Sequence, residues 1–262
     1  MSSAACREFS PRELDSAVAD YRQQGVVKLT RVFDEATLVP LRQRADELML
    51  GQVTYPGLFF QHDTTTGRYQ DLTFGEGWQG PSLNYRKIEK LELDPLYRAL
   101  IEDSLLAAIV RRVVAGPAAI YRAVLMNKAA SGGTCLPWHQ DGGVLWGLSR
   151  DPELQVWLAL DAAPREAGCV EYVPGSHRAG LATPLGGLIP DPVAAAAGID
   201  DRIVEVPAEA GDLLLIHNYV WHRSGVNRSG RPRRALTVCY MSRSTQCLRK
   251  KRAPRRFTPV FD

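Results

Sequence analysis

Hydrophobic and polar positions give the chain two textures. Through about residue 117, apolar residues recur at helical spacing in segments that open on capping residues. Ser10-Pro11-Arg12-Glu13 reads as a capping box with proline at the first helical position, and predicts a helix over about 11–24. "GVVKLTRVF" (25–33) follows as a strand. Asp34 is placed to cap a second helix that runs to about residue 50. "QHDTTTGRYQDLTFGEGWQGPS" (61–82) is polar, glycine-rich and long for a loop, as lids and binding loops often are. "DPLYRALIEDSLLAAIVRRVVAG" (94–116) keeps helical periodicity to a terminal glycine and predicts one more helix.

From about residue 118 the period shortens. "AIYRAVLMNKA", "LQVWLALDAA", "GCVEYVPGS", "DRIVEVPA", "GDLLLIHNYVWH" and "RRALTVCYMS" are short runs rich in Val, Leu, Tyr and Trp, separated by Gly, Pro, Asp and Asn. Such spacing predicts an antiparallel β-sandwich or barrel. No closely repeating period suggests a solenoid. The expected fold is mainly β with flanking α: helices first, then a β-core over about 118–245 and a basic tail.

Composition narrows this only slightly. At 262 residues with 45% hydrophobic and 23% charged positions, the chain can bury a full core, and no linker-like stretch divides it. One domain over 1–262 is expected. A net charge of +3 does not by itself imply a polyanionic partner. The start has no apolar run of signal-peptide length, and no segment approaches the roughly 20 apolar residues of a membrane span, so the expectation is a cytoplasmic protein without membrane or nucleic-acid partners. Five cysteines without a C-x-x-C argue against a disulfide framework or a cysteine zinc site.

The chemistry begins at "LPWHQDGG" (136–143). On a strand, residues two apart share a side, so His139 and Asp141 can aim at one ion. Two histidines and a carboxylate, leaving positions open, suit Fe(II) and oxygen chemistry. A lone H-x-D also occurs in ordinary turns, so a third ligand is needed. The other histidines are His62, His177, His217 and His222. His62 lies in the polar loop and His177 follows the turn "VPGS". His217 and His222, read as one strand-like run, should face opposite sides; the strand-end position favours His222 without excluding His217. Downstream, Arg233 and Arg234 should also face opposite sides. Either one, if it points inward, needs an anion, which a dicarboxylate would supply in two-pronged geometry.

"WHQD", "VWLALDAAPREAGCVEYVPGSH" and "GDLLLIHNYVWHRSGVNRSGRPRRAL" together resemble the phytanoyl-CoA dioxygenase family, in the right order across about residues 85–241. The resemblance implies a double-stranded β-helix (jelly-roll, cupin-like) core and an oxygenase that uses Fe(II), 2-oxoglutarate and O₂, with ascorbate as a supporting reductant. It implies His139, Asp141 and His222 as iron ligands, with His217 a non-ligating neighbour. It implies Arg233 and Ser224 on the distal carboxylate of 2-oxoglutarate, Trp157 lining the cosubstrate pocket, and Lys87 and Met126 beside it. His177 and Asn227 are expected to brace turns. The carboxylate at Asp141 argues against the halogenating relatives, which replace it with a small residue.

Substrate specificity is expected in the loops 52–82, 142–153 and 178–200, with Phe74, Trp78 and Trp146 as candidate contacts to a small-molecule substrate. Hydroxylation or oxidative cyclisation of a sugar-containing natural product, in antibiotic or other secondary metabolism, is the expected type of reaction. Two alternatives remain open at this point. One is a non-catalytic jelly-roll binding protein; the other is a polyanion-binding protein using "RKKRAPRRF" (249–257), which carries six basic residues in its first eight.

Overall fold

The computed structural model describes residues 7–130, 132–250 and 255–262. In chain order the elements are α1 (Pro11–Gln24), β1 (Val26–Leu29), α2 (Glu35–Met49), β2 (Phe59–His62), β3 (Tyr85–Glu89), α3 (Pro95–Ile101), α4 (Ser104–Val113), β4 (Ala118–Lys128), β5 (Leu136–Gln140), β6 (Leu154–Ala159), β7 (Val170–Tyr172), β8 (Gly187–Leu188), α5 (Asp191–Ala196), β9 (Val204–Val206), β10 (Leu213–His217), β11 (His222–Ser224), β12 (Arg233–Ser242) and β13 (Thr258–Phe261).

The caps behave as their chemistry requires. The Ser10 hydroxyl accepts from the Glu13 amide, and the Glu13 carboxylate accepts from the Ser10 amide at 2.8 Å. Asp34 accepts from the Thr37 amide at 3.0 Å and starts α2. Gly25 ends α1 at φ +86°, where a Cβ would lie 2.7 Å from both His177 and Val220; conformation and space both require glycine there. The segment 94–116 departs from expectation. It is two helices, because Asp103 accepts from the Leu105 amide at 2.8 Å and caps a fresh start. The apolar spacing continues across the break, so periodicity alone does not reveal it. α4 ends at Val113, before Gly116. The first strand is also shorter than read, covering only Val26–Leu29.

Two antiparallel sheets form the β-core. The large one has the order β1-β10-β6-β12-β4-β3-β2, with β13 also pairing β4; the small one is β8-β5-β11-β7-β9. Alternation sorts the side chains of the large sheet. Leu125, Val156, Leu158, Leu213, Leu215, Leu236 and Val238 pack outward in one buried cluster with Leu38 and Leu41 of α2, Tyr97 of α3 and Ile109 of α4. Each such side chain fully buried contributes about 1.5–3 kcal/mol. The inward face forms a smaller cluster, in which Trp157, Leu214, Ile216 and Ala235 meet Val170 and Tyr172 of the small sheet. This is the jelly-roll arrangement, with helices covering the outside of one sheet and a cavity between the two.

The run "LLLIHNYVWHRSG" is not one strand. β10 ends at His217 in the large sheet, a turn intervenes, and His222 opens β11 in the small sheet. Opposite-facing parity therefore does not separate the two histidines; they belong to different sheets. Among the described residues no helix is long and apolar enough to cross a membrane.

Candidate metal centre and cosubstrate pocket

Register brings the imidazoles together. His222 of β11 is the direct partner of His139 of β5, so both project to one side, with ring centroids 4.0 Å apart. Asp141 follows β5 immediately. The ligand atoms of His139, Asp141 and His222 all lie within 4.8 Å of one another, and all three residues are buried. His139 Nδ1 sits 2.9 Å from the Pro137 carbonyl, and His222 Nδ1 sits 2.9 Å from the Val220 carbonyl. A carbonyl only accepts, so each Nδ1 carries the proton and each Nε2 offers a lone pair towards the centre. Burial first, then the His222 imidazole, holds His139 neutral, down at about 3. Burial pushes the Asp141 carboxyl up, but Arg122, His139 and His222 outweigh it and hold it down at about 2. Two imidazole Nε2 atoms and a carboxylate converging on one point suit a divalent first-row metal, and the residues present fit iron.

Three residues that the sequence reading does not single out position Asp141. Arg122 of β4 donates to Oδ1 at 3.1 Å, Gln155 of β6 donates to Oδ2 at 2.5 Å, and the Asn218 amide donates to the Asp141 carbonyl at 2.9 Å. Arg122 and Gln155 were accessible to alternation: Arg122 shares parity with Met126 on β4, and Gln155 shares parity with Trp157 on β6. Asn218 lies in the turn that the one-strand reading hid.

A cavity extends from the triad between the sheets; Met126, Trp157, Ser224 and Arg233 line it. At its inner end Arg233 is 3% exposed, so almost no water reaches its charge. One amino group donates to the Gly168 carbonyl at 2.6 Å, and its Nε is buried with no partner. That carbonyl is presented by a glycine at φ +70°, where a Cβ would lie 2.3 Å from the Gly225 oxygen. Burial pushes the guanidinium down to about 10, with Arg86 adding to the effect. Trp157 lies beside it, the guanidinium carbon 5.6 Å from a ring centroid.

Arg233 is also the cross-strand partner of Lys128. Like charges directly opposite are destabilising, and burial, Arg233 and Arg86 all hold the Lys128 ammonium well below its usual value. Among the described residues, Lys128 donates to the Thr134 carbonyl at 2.6 Å and to no other group. Arg86, a further cation on this cavity, is 8% exposed and donates to Gln61 at 3.1 Å. Arg86 is the extra residue of a β-bulge, because Gln61 pairs Lys87 while His62 pairs Tyr85. A bulge re-aims its side chain, so both Arg86 and Lys87 reach this side. Lys87 itself is placed differently from its expected neighbourhood. It forms an ion pair with Glu89 at 2.5 Å and lines the adjoining mouth rather than the inner cavity. A neighbouring carboxylate already compensates it, whereas among the described residues none bonds Lys128 or Arg233.

The remaining candidates separate. Arg234 faces the helices and pairs with Asp161 at 2.8 Å and Asp46 at 2.7 Å, so it is a structural cation. His217 stacks near His177, with centroids 4.6 Å apart, and accepts from the Tyr219 amide; it points away from the triad. His177 is bonded to the Arg22 carbonyl. Asn227 donates to the carbonyls of Lys128, Ala129 and Arg231 and ties its turn to the end of β4. Trp146 is buried and stacks on Tyr121 at 4.5 Å, in a cavity next to the triad. Trp78 lines a separate cavity with Leu48, Tyr55 and Phe60, and Phe74 is 66% exposed; neither lines the metal cavity. An aromatic in a long loop reads the same whether it faces a ligand or a neighbouring wall, so the sequence could not separate these three.

Two imidazoles, a carboxylate and an arginine bonded to no carboxylate among the described residues thus line one cavity. The chain belongs to the phytanoyl-CoA dioxygenase family, whose family model, phytanoyl-CoA dioxygenase (PhyH), matches residues 21–235. It is 31% identical over 157 residues to phytanoyl-CoA dioxygenase domain-containing protein 1 of Bos taurus, covering 57% of this chain and 54% of that protein. The chain thus spans about half the length of the curated relatives of that name. Among solved structures it is similar to the non-heme alpha-ketoglutarate-dependent carbocyclase SnoK from nogalamycin biosynthesis, with a TM-score of 0.70 and 21% identity over 99% of this chain and 100% of that one. It is also similar to EctD from S. alaskensis, solved with 2-oxoglutarate and 5-hydroxyectoine, with a TM-score of 0.71 and 19% identity over 100% and 91% of the two chains. At these identities the likeness is one of fold.

Proposed function

We propose that this chain oxidises an unactivated C–H bond of a small organic substrate, using Fe(II), 2-oxoglutarate and O₂, by hydroxylation or oxidative cyclisation in natural-product metabolism. One observation carries the reading. The three convergent ligands and a buried arginine bonded to no carboxylate among the described residues line a single cavity. A structural cation would have been given a carboxylate, as Arg234 has been.

His139, Asp141 and His222 hold the iron. Arg233 and Ser224 receive the distal carboxylate of 2-oxoglutarate, Lys128 adds charge beside them, and Trp157 and Met126 wall the cosubstrate. Bound iron and 2-oxoglutarate supply the oxidising chemistry, with O₂ as the oxidant. The protein's own part is positional. The Pro137 and Val220 carbonyls fix the imidazole tautomers. Arg122 and Gln155 fix the carboxylate orientation. The buried walls keep bulk water from the reacting centre. Support for natural-product metabolism comes from the likeness to SnoK and from the ligand named for EctD.

Aerobic incubation with Fe(II) and 2-oxoglutarate across a panel of candidate substrates tests this directly. Succinate is expected to accumulate with the correct substrate and not in His222→Ala. Equal succinate release by His222→Ala would rule the reading out.

A further inference from the structure

A second cavity adjoins the metal mouth, with about 1400 Å³ of empty space. It shares Glu89 and Arg122 with the mouth of the metal site, and Arg122 is the residue that grips Asp141. Tyr121, Trp146 and Phe257 form its aromatic wall. Arg122, Arg249 and Arg255 form its cationic wall, and Lys90 and Arg256 also line it. Among the described residues Glu89 and Glu92 are the acidic groups that oppose them, and Glu89 is already bound to Lys87.

The C-terminal segment builds much of this cavity. Cys247 bridges to Leu148, the Arg249 guanidinium donates to the Leu145 carbonyl at 2.6 Å, and the Arg255 guanidinium donates to the Tyr121 carbonyl. The described part of "RKKRAPRRF" therefore contributes to a cavity wall; residues 251–254 lie outside the described residues. Each of the three arginines spends one amino group on the protein. Arg122 Nε is buried with no partner, and a guanidinium carries five donors in a fork matched to an oxyanion. Their planes also lie over rings: Arg122 over Trp146 at 4.7 Å, and Arg255 over Tyr121 at 5.0 Å and Phe257 at 5.3 Å. These contacts pre-set the cations beside flat apolar surfaces. Beyond the cavity, Val144 and Leu145 stand exposed on the turn before Trp146 and extend the apolar surface outward.

We propose that this second cavity is the primary-substrate site and that it selects an organic anion carrying a ring system, its acidic group on Arg249 and Arg255 and its ring against the wall that Tyr121, Trp146 and Phe257 form. The acidic group would thus lie on the outer side of Arg122, leaving the remainder of the molecule directed across Arg122 to the metal. This rests on the oxygenase reading for its meaning, but binding can be measured without turnover.

The probes are 8-anilinonaphthalene-1-sulfonate and its neutral counterpart lacking the sulfonate, N-phenyl-1-naphthylamine, titrated by fluorescence into the full chain. The anion should bind at one site and about tenfold more tightly than the neutral dye. Arg249→Gln with Arg255→Gln should bring the two dyes to within about threefold of each other. Trp146→Phe should reduce tryptophan-to-dye energy transfer. The visible band given by anaerobic Fe(II) and 2-oxoglutarate checks that the variant site is folded. Should the double variant not fold, raising NaCl from about 0.05 to 0.5 M on the unaltered chain should weaken the anion and leave the neutral dye unchanged. Equal affinities for the two dyes, a preference that survives the double variant, or a preference insensitive to salt would overturn the proposal. Loss of the visible band in the unaltered chain, with the dye preference intact, would instead count against the oxygenase reading alone.

Discussion

The two faces of the large sheet follow opposite rules. On its outer face β12 places Leu236 and Val238 against helices, in a cluster without charge. On its inner face the same strand presents Arg233, opposite Lys128 and close enough to Arg86 for the three to repel one another. The outer face is built to hold the fold together. The inner face gives up stability to keep cations uncompensated until an anion arrives. Arg233 and Arg234 show the contrast in adjacent residues, since the one facing the helices has two carboxylate partners and the one facing the cavity has a backbone carbonyl.

Substitutions on the two faces should therefore move stability in opposite directions. Leu236→Ala should cost about 2–5 kcal/mol in denaturant unfolding, the usual range for a buried leucine. Arg233→Met should raise the stability of the metal-free protein by about 1–3 kcal/mol, because it removes a buried charge bonded to no carboxylate among the described residues. If Arg233→Met destabilises as Leu236→Ala does, the distinction between the faces fails.

A smaller effect concerns acid. Burial, and next the neighbouring His177, holds His217 down at about 4, against 6.5 for an ordinary histidine. As pH falls from about 6.5 to about 4, the unfolded chain takes up this proton and the folded chain does not. Stability is thus lost over that window, by about 1–2 kcal/mol after allowance for the ring's partial exposure. His217→Asn should flatten this limb of the stability–pH curve, and an unchanged limb would remove His217 as its source.

The smallest effect separates two lysines. Lys128→Met should weaken 2-oxoglutarate binding about tenfold, and Lys87→Met by no more than about twofold, because Glu89 already compensates Lys87. Calorimetric titration of 2-oxoglutarate into the Fe(II) protein under nitrogen reads both.

Much of this was legible in the chain because it depends on local chemistry. Ser10, Asp34 and the alternating runs after residue 118 announce their elements, and H-x-D at the end of β5 marks two side chains able to converge, a pair that becomes a cluster only with His222. What stayed hidden depends on register and turns. The one-residue bulge that turns Arg86 inward leaves no mark on "YRKIEKL". The break at Asp103 lies inside unbroken helical periodicity. His217 and His222 were treated as one strand, and the choice between them came from family resemblance rather than from strand parity. Lys128 and Gln155 were readable, since each shares parity with a residue already singled out, Met126 and Trp157. Phe74 and Trp78 line neither cavity at the triad, and loop aromatics carry no periodicity that says which wall they join.

The most direct test of the central claim is anaerobic titration of the Fe(II)-loaded chain with 2-oxoglutarate, followed by its visible metal-to-ligand charge-transfer band. The account predicts a saturable band, absent in His222→Ala and requiring far more 2-oxoglutarate in Arg233→Met. A band of full intensity in His222→Ala, or an unchanged midpoint in Arg233→Met, would contradict it.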